Sequence, residues 1–140
     1  MRRFLLDSNA LNAFVDRREP LSRRAGDARA RGSRIGTCEP VIAEMYTGLE
    51  FSASRELNLA RLERALSGIR CWPFDRRAAR AYGYIAADLQ RRGRKMQVFD
   101  MMIAAIARSL NNCAVVTTDS DLAAIPGLSV VNWMLPEGPT

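Results

Sequence analysis

The sequence contains no histidine among its 140 residues. This absence excludes histidine as a general acid or base, the Ser-His and Cys-His nucleophilic pairs, and the usual histidine-containing zinc sites. Any catalysis by this chain must therefore rest mainly on carboxylates. The positions of the aspartates and glutamates are the first place to look for a function.

Cysteines are few, and their pattern carries no chemistry. Cys38, Cys71 and Cys113 lie far apart, are odd in number and form no C-x-x-C pair. This spacing indicates neither a zinc knuckle nor a disulfide framework. We expect them to be small buried hydrophobic residues in a reducing cytoplasm.

Long apolar runs are also missing. No run approaches the roughly 18 residues that a membrane span requires, and Asp7 interrupts the apolar stretch near the N-terminus. We therefore predict a soluble cytoplasmic protein that does not enter a membrane. The chain is close to the commonest domain size and 48% hydrophobic, so we expect one domain over residues 1–140.

Lysine is nearly absent from a basic sequence. Lys95 is the only lysine, and 21 Lys and Arg against 15 Asp and Glu leave a net charge of +6. This balance favours an acidic partner such as nucleic acid, although solubility alone would explain it equally well. Arginine forks suit bidentate contacts to phosphate.

Apolar patterns predict strands that alternate with helices. Short buried strands are expected at residues 4–6, 35–38, 69–74, 114–116 and 128–133. Helical spacing is present over residues 10–15, 41–49, 59–66, 78–89 and 102–110, and residues 17–31 form either a surface helix or an ordered loop. This order predicts an α/β fold, a three-layer α/β/α sandwich around a short, mainly parallel sheet.

Four acids stand next to apolar segments. Asp7 and Asp119 follow predicted buried strands, Glu44 lies beside the apolar stripe of a helix, and Asp100 opens another helix. Three of them have a structural explanation, as a turn former or helix cap for Asp7, an N-cap for Asp100 and a solvated helix residue for Glu44. Together they would repel one another unless a cation is bound, and oxygen-only ligands suit Mg²⁺ or Mn²⁺.

Four stretches resemble the motifs of the PIN-domain nucleases, and among these the toxin half of VapBC-type toxin-antitoxin pairs. They are "FLLDSNALNAFV", "TCEPVIAEMYTGLE", "FDMMIAAIA" and "VVTTDSDLAAIPGLSVVNW", and they occur in the family's order over nearly the whole chain. The resemblance implies a PIN-like fold. It places the family's acids on Asp7, Glu44, Asp100 and Asp119, with Ser8 as a polar support.

The fourth motif leaves an ambiguity, because its turn holds two acids. Asp119 directly follows the strand and Thr118, so it is the first choice as the fourth acid. Asp121 is then a supporting residue, or a cap of the turn that follows.

The activity that the resemblance implies is Mg²⁺-dependent hydrolysis of RNA phosphodiester bonds by the toxin of a type II toxin-antitoxin pair, with Mn²⁺ as a substitute. Asp7, Asp100 and Asp119 would hold metal, and Glu44 would bind a second ion or orient water. A homodimer and a small antitoxin protein are implied as well. The exposed-looking Leu57 and Leu59 fit such an interface but would equally complete the core.

A basic segment just before Asp100 is our candidate for contacts to RNA phosphates. It comprises Arg91, Arg92, Arg94 and Lys95. A solvated loop between two helices explains the same charges. Tyr84 and the other aromatic residues are scattered, which predicts core or interface packing and no base-stacking platform.

Two other classes of function remain open. One is a PIN-like binding module that does not cleave, although a pure binder has no need to tolerate four repelling acids. The other is a Mg²⁺-dependent phosphatase with Asp7 as the nucleophile, but "DSN" lacks the second Asp two residues later that such enzymes usually carry.

Overall fold

A computed structural model describes residues 1–136 of the chain, so residues 137–140 of the predicted domain lie outside the described part. Its strands are β1 (Arg3–Leu6), β2 (Arg34–Cys38), β3 (Arg70–Trp72), β4 (Cys113–Val116) and β5 (Ser129–Val131). Its α-helices are α1 (Ser8–Val15), α2 (Leu21–Ala30), α3 (Glu39–Glu50), α4 (Arg55–Ser67), α5 (Arg76–Arg91) and α6 (Val98–Leu110). A 3-10 helix covers Ser120–Ala124.

The strands form one sheet in the order β3-β2-β1-β4-β5, and every neighbouring pair is parallel. From β1 the chain moves through β2 to β3 at one edge, and then crosses back to β4 and β5 on the other side of β1. Right-handed crossovers therefore place α1 to α4 on one face and α5 and α6 on the other. The predicted three-layer α/β/α fold is confirmed.

The centre of the sheet is fully apolar and nearly inaccessible to solvent. Leu5 and Leu6 of β1 and Val115 and Val116 of β4 are at most 1% exposed. Runs of this kind are typical of parallel strands that are covered on both faces. The carboxyl ends of β1 and β4 thus emerge from the buried core of the molecule.

Several predicted boundaries were too generous or misplaced. β3 and β5 are three residues long each, shorter than the predicted 69–74 and 128–133. In β3, Pro73 offers no backbone N–H to continue the ladder. Residues 17–31 form helix α2 over Leu21–Ala30 only.

One glycine is required by a close approach of two strands. Gly36 of β2 pairs with Arg70 of β3, and a Cβ at this position would lie 2.7 Å from the Arg70 carbonyl oxygen and 2.7 Å from the Trp72 ring. Only glycine leaves room here for the Trp72 ring and the Arg70 carbonyl. Within residues 1–136, no helix combines the length and apolarity that crossing a membrane requires.

Candidate active site

The site is created by the point where the strand order reverses. The connections leave β1 and β4 in opposite directions, which opens a crevice at the carboxyl ends of these two neighbouring strands. Ligands of open parallel sheets bind at such switch points. Asp7 directly follows β1 and Asp119 follows β4 after two threonines, so the topology brings these two acids to the same crevice.

Asp7 is held rigidly at the start of α1. Its Oδ1 accepts a hydrogen bond of 2.9 Å from the backbone N–H of Ala10, and its own N–H donates to the Val116 carbonyl at 3.1 Å. The side chain is 7% exposed. Asp7 is thus the N-cap of α1, which is one of the structural explanations that the sequence offered for it.

Thr117 connects the two strand-end acids and was missed in the sequence. Its Oγ1 accepts a hydrogen bond of 2.9 Å from the backbone N–H of Asp119, and its hydroxyl is hydrogen-bonded to the Asp7 carboxylate. With a single proton to give, the hydroxyl donates to Asp7 and accepts from Asp119. The signal available in the sequence was a threonine directly after a continuous apolar strand. In the structure Thr117 is 2% exposed, and a buried hydroxyl requires hydrogen-bond partners.

Ser8 and Glu44 join α1 to α3 on the exposed side of the crevice. The Ser8 hydroxyl donates a hydrogen bond of 2.9 Å to Glu44 Oε2. Glu44 is exposed, whereas Asp7 is buried. The acids therefore differ in environment, since Asp7 forms the floor of the crevice and Glu44 its rim.

Asp100 lies in the first turn of α6 and is half-buried. The helix begins at Val98 with Gln97 as its N-cap, so the alternative of Asp100 as the cap was wrong. An acid in a first turn is favoured by the helix dipole. Although α3 and α6 cover opposite faces of the sheet, the two helices contact each other, so α6 reaches the helix that carries Glu44.

The acids act on one another electrostatically. Burial raises the pKa of Asp7, hydrogen bonds from Thr117 and Ala10 oppose this, and the charges of Asp119 and Glu44 raise it further. Burial also raises the pKa of Asp100, and the charges of Asp119, Asp7, Asp121 and Glu44 add to the effect. Mutual repulsion of this kind marks a group of carboxylates that a cation would stabilise.

The donors fit a hard divalent cation by their chemistry. The four acids offer only oxygen atoms, which Mg²⁺ and Mn²⁺ prefer, and Mg²⁺ usually keeps several waters beside one or two carboxylates. Over the described part of the chain, however, no three His, Cys, Asp or Glu side chains stand close enough to hold an ion as they are. A metal site here therefore stays a prediction.

Asp119 and Asp121 have distinct positions in the 3-10 helix after β4. Asp119 is its N-cap, and its Oδ1 accepts the Asp121 N–H at 2.9 Å. The interpretation of Asp121 as a cap was wrong, because Asp121 lies in the first turn and is exposed. Asp119 is half-buried and tied to Thr117, which supports it as the inward-facing acid.

The four basic candidates occupy the end of α5 and the connection to α6. All of them are exposed, and Arg92 forms an ion pair of 3.0 Å with Asp88 one turn earlier on α5. Gly93, with φ +66°, turns the chain between Arg92 and Arg94. The segment leads directly into the turn of α6 that carries Asp100, which is where phosphate contacts would serve the crevice.

A polar groove opens beside the Ser8–Glu44 hydrogen bond, between α1, α3 and α4. Its volume is about 650 Å³. Its walls include Ser8, Asn9, Asn12, Glu44, Met45 and Arg61. Of the four candidate acids, Glu44 alone lines the groove, so a chain lying in it would reach the rim of the crevice.

The cysteines offer no alternative nucleophile. Burial raises the pKa of Cys38 to about 12 and that of Cys113 to about 11. Both thiols therefore stay protonated near neutral pH, whereas attack requires the thiolate. The buried hydrophobic role predicted for them is confirmed for Cys38 and Cys113, and Cys71 is half-buried.

Comparisons with known proteins agree with this fold. The PIN domain family model matches residues 4–128. The tRNA(fMet)-specific endonuclease VapC of Shigella flexneri is 32% identical over 133 residues, which cover 95% of this chain and 99% of that protein. The chain therefore belongs to the PIN-domain family, and within it to the VapC group that this relative represents.

Solved structures give the same result. The DNA-bound VapBC complex of Salmonella typhimurium contains a chain that is 30% identical, with a TM-score of 0.86 and coverage of 95% of this chain and 99% of that one. A chain of Rickettsia felis VapBC2, bound to a promoter DNA fragment, also has a TM-score of 0.86, at 23% identity and coverage of 94% and 98%. The second match bears on the fold alone.

Proposed function

We propose that this protein is a Mg²⁺-dependent endoribonuclease, with Mn²⁺ as a substitute, and the toxin of a type II toxin-antitoxin pair. The observation that carries the proposal is the group of mutually repelling acids at the switch point of the sheet, where Asp7 and Asp119 follow neighbouring strands. The endonuclease and ribonuclease names of the VapC relatives support RNA cleavage.

Asp7, Asp100 and Asp119 would hold the ion, and Glu44 would hold a second ion or orient the attacking water. A bound divalent cation lowers the pKa of water and neutralises charge that develops on the phosphate. Thr117 keeps Asp7 and Asp119 in fixed relative positions, and Ser8 restrains the otherwise free Glu44 carboxylate. Asp121 supports the turn, and Arg91, Arg92, Arg94 and Lys95 would neutralise RNA phosphates that enter the crevice.

The phosphatase alternative is weakened by the position of Asp7. Both of its carboxylate contacts are to neighbouring groups, Ala10 N–H and Thr117, and it is 7% exposed. A carboxylate held in this way is suited to orienting an ion, whereas an attacking nucleophile needs access to phosphorus. A trapped aspartyl-phosphate on Asp7 would restore that alternative.

The partners follow from the same proposal. VapBC complexes among the structural neighbours support a cognate antitoxin for this chain. The groove beside Glu44 would receive an antitoxin segment, and apolar side chains at the tip of α3 and α4 fit a protein interface, since Phe51 is 87% and Leu57 62% exposed. We propose a homodimer and a cytoplasmic location as well.

The test is cleavage of end-labelled RNA by the purified, antitoxin-free protein. Initiator tRNA is the first substrate to try, because relatives carry tRNA(fMet) in their names, and total RNA is the second. We expect discrete fragments with Mg²⁺ or Mn²⁺ that disappear with EDTA and with Asp100→Asn.

The matched control is Asp27→Asn, the same chemical change on the exposed surface of α2. It should cleave as the unmodified protein does. A folded protein that cleaves neither RNA in either metal would favour the non-cleaving binding module. Cleavage that persists in Asp100→Asn would remove Asp100 from the proposed site.

A further inference from the structure

A second basic surface lies on α5 and α6, away from the acids. Arg77 and Arg80 on α5 and Arg108 on α6 are exposed and border one shallow depression of about 400 Å³ together with Tyr84. We name these four residues the Arg–Tyr patch. Within residues 1–136, none of its three arginines forms an ion pair with an acid.

The patch contains an aromatic side chain that the core does not use. Tyr84 is 69% exposed, although core or interface packing was predicted for it. The guanidinium of Arg108 lies over its ring, 5.5 Å from the centroid. Stacked pairs of this kind, with arginine planes and aromatic faces side by side, are the surfaces on which single-stranded bases stack.

The patch points along α5 toward the basic segment next to the crevice. Arg77, Tyr84 and Arg91 are seven residues apart from one to the next, which places them on the same face of the helix. Asp88 also lies near this face, but its carboxylate is paired with Arg92. This face of α5 therefore remains positively charged from the Arg–Tyr patch to the basic segment that leads to Asp100.

The Arg–Tyr patch lies at a distance from the candidate acids. Arg108 follows Asp100 by eight residues on α6, which is about 12 Å at the helical rise of 1.5 Å per residue. An RNA strand held at the patch would thus be several nucleotides away from the scissile phosphate. Its contacts would contribute to binding and register without touching the reacting atoms.

We propose that the Arg–Tyr patch binds single-stranded RNA that flanks the cleavage site, with the arginines on phosphates and Tyr84 under a base. This inference rests on the proposed ribonuclease function. Self-association through this face is disfavoured, because a two-fold interface would bring the same unpaired arginines of two copies together.

The experiment measures binding separately from cleavage. Full-length protein carrying Asp100→Asn is titrated, in EDTA, into a fluorescein-labelled oligouridylate of about 20 nucleotides at several KCl concentrations. The added variants are Arg77→Gln with Arg80→Gln, Tyr84→Ala and the conservative Tyr84→Phe. The matched control is Arg23→Gln with Arg31→Gln, two exposed arginines of the α2 region.

We expect Arg77→Gln with Arg80→Gln to weaken binding of the oligouridylate. The slope of the logarithm of the binding constant against the logarithm of the salt concentration should become shallower by about 1.4, which is about 0.7 for each lost phosphate contact. Tyr84→Ala should weaken binding about five-fold or more, and Tyr84→Phe should retain it. The α2 double variant should change neither quantity by a comparable amount.

Equal losses in the patch and α2 variants would overturn the proposal, because net charge alone would then explain RNA binding. Unchanged RNA binding together with a change in molar mass by light scattering would overturn it as well and identify a subunit interface. The proposed function fails separately, if the unmodified protein with Mg²⁺ leaves tRNA and total RNA intact.

Discussion

The hydroxyl of Ser8 donates a hydrogen bond of 2.9 Å to Glu44, a residue 36 positions later on another helix. This contact fixes the one acid of the group that is not held by burial, since Glu44 is exposed on α3. A long exposed side chain would otherwise sample several rotamers, and its carboxylate would meet a bound ion or water only part of the time.

Ser8→Ala should therefore lower kcat for RNA cleavage by about 10- to 100-fold, as is typical of residues that support metal ligands. KM should change little, because Ser8 acts through Glu44 and does not hold the substrate. Ser67→Ala removes the hydroxyl of an exposed serine, which donates only to the Arg64 carbonyl, and should leave kcat unchanged. Equal activity of the two variants would remove Ser8 from the site.

Thr117→Val should destabilise the protein by about 1–3 kcal/mol, because the Asp119 N–H loses its acceptor and Asp7 loses a donor in a buried place. Chemical denaturation measures this loss, and Thr117→Ser should recover most of it. Thr118→Val is the control, because Thr118 is the next residue and is exposed. It should lower the free energy of unfolding far less than Thr117→Val does. A similar loss in both variants would contradict the connecting role of Thr117.

Asp100→Asn should raise the free energy of unfolding in EDTA at neutral pH. The pKa of Asp100 is raised by burial and by its acidic neighbours, so the folded state binds the proton more tightly than the unfolded chain. Stability from this group is then present at low pH and is lost as the pH rises from 3.8, the ordinary pKa of an aspartate, through the higher pKa of the folded state. The advantage of the variant should disappear in acid, which thermal unfolding against pH would measure.

Added Mg²⁺ should make the unmodified protein more stable than Asp100→Asn, which is the reverse of their order in EDTA. An ion that binds the folded acids stabilises the unmodified protein by mass action, and the variant has lost one of the ligands. Asp27→Asn serves as the control and should respond to Mg²⁺ as the unmodified protein does. Equal thermal shifts for all three proteins would argue against Asp100 as a ligand.

Gly36→Ala should destabilise the fold by about 1–3 kcal/mol or more, as overpacking does, because its Cβ would lie 2.7 Å from the Arg70 carbonyl oxygen. Gly26 in α2 gives the opposite case, since a Cβ there meets nothing within 4 Å. Gly26→Ala should stabilise the helix by up to about 1 kcal/mol. If neither substitution changed the free energy of unfolding, this would contradict the close approach of β2 and β3 at Gly36.

The sequence predicted the fold because its strands and helices carry unambiguous apolar patterns. β4 is a continuous buried run and the stripe of α6 repeats at helical spacing, so both elements were located within a residue or two. The short edge strands were overextended, because apolar residues continue past the last ladder hydrogen bond. Propensity alone does not reveal where a partner strand ends.

The candidate site was predicted less completely. Strand-end position identified Asp7 and Asp119, but adjacent Asp, Ser and Asn cap a helix almost equally well, so the sequence left open which of the three caps α1. A glycine that ends a helix often adopts a left-handed conformation, whereas Gly68 at the end of α4 has a φ of −99°. Thr117 resembled an ordinary strand residue until the register with β1 placed it against Asp7.

The most direct test of the central claim is a crystal of the protein soaked in Mn²⁺, with anomalous scattering recorded to locate the ion. We predict a peak in the crevice between Asp7, Asp100 and Asp119, at about 2.0–2.6 Å from their carboxylate oxygens. The peak should be lost in Asp100→Asn crystals. A well-ordered crevice without a peak at saturating Mn²⁺, or a peak held by other residues, would contradict a metal-dependent nuclease at this site.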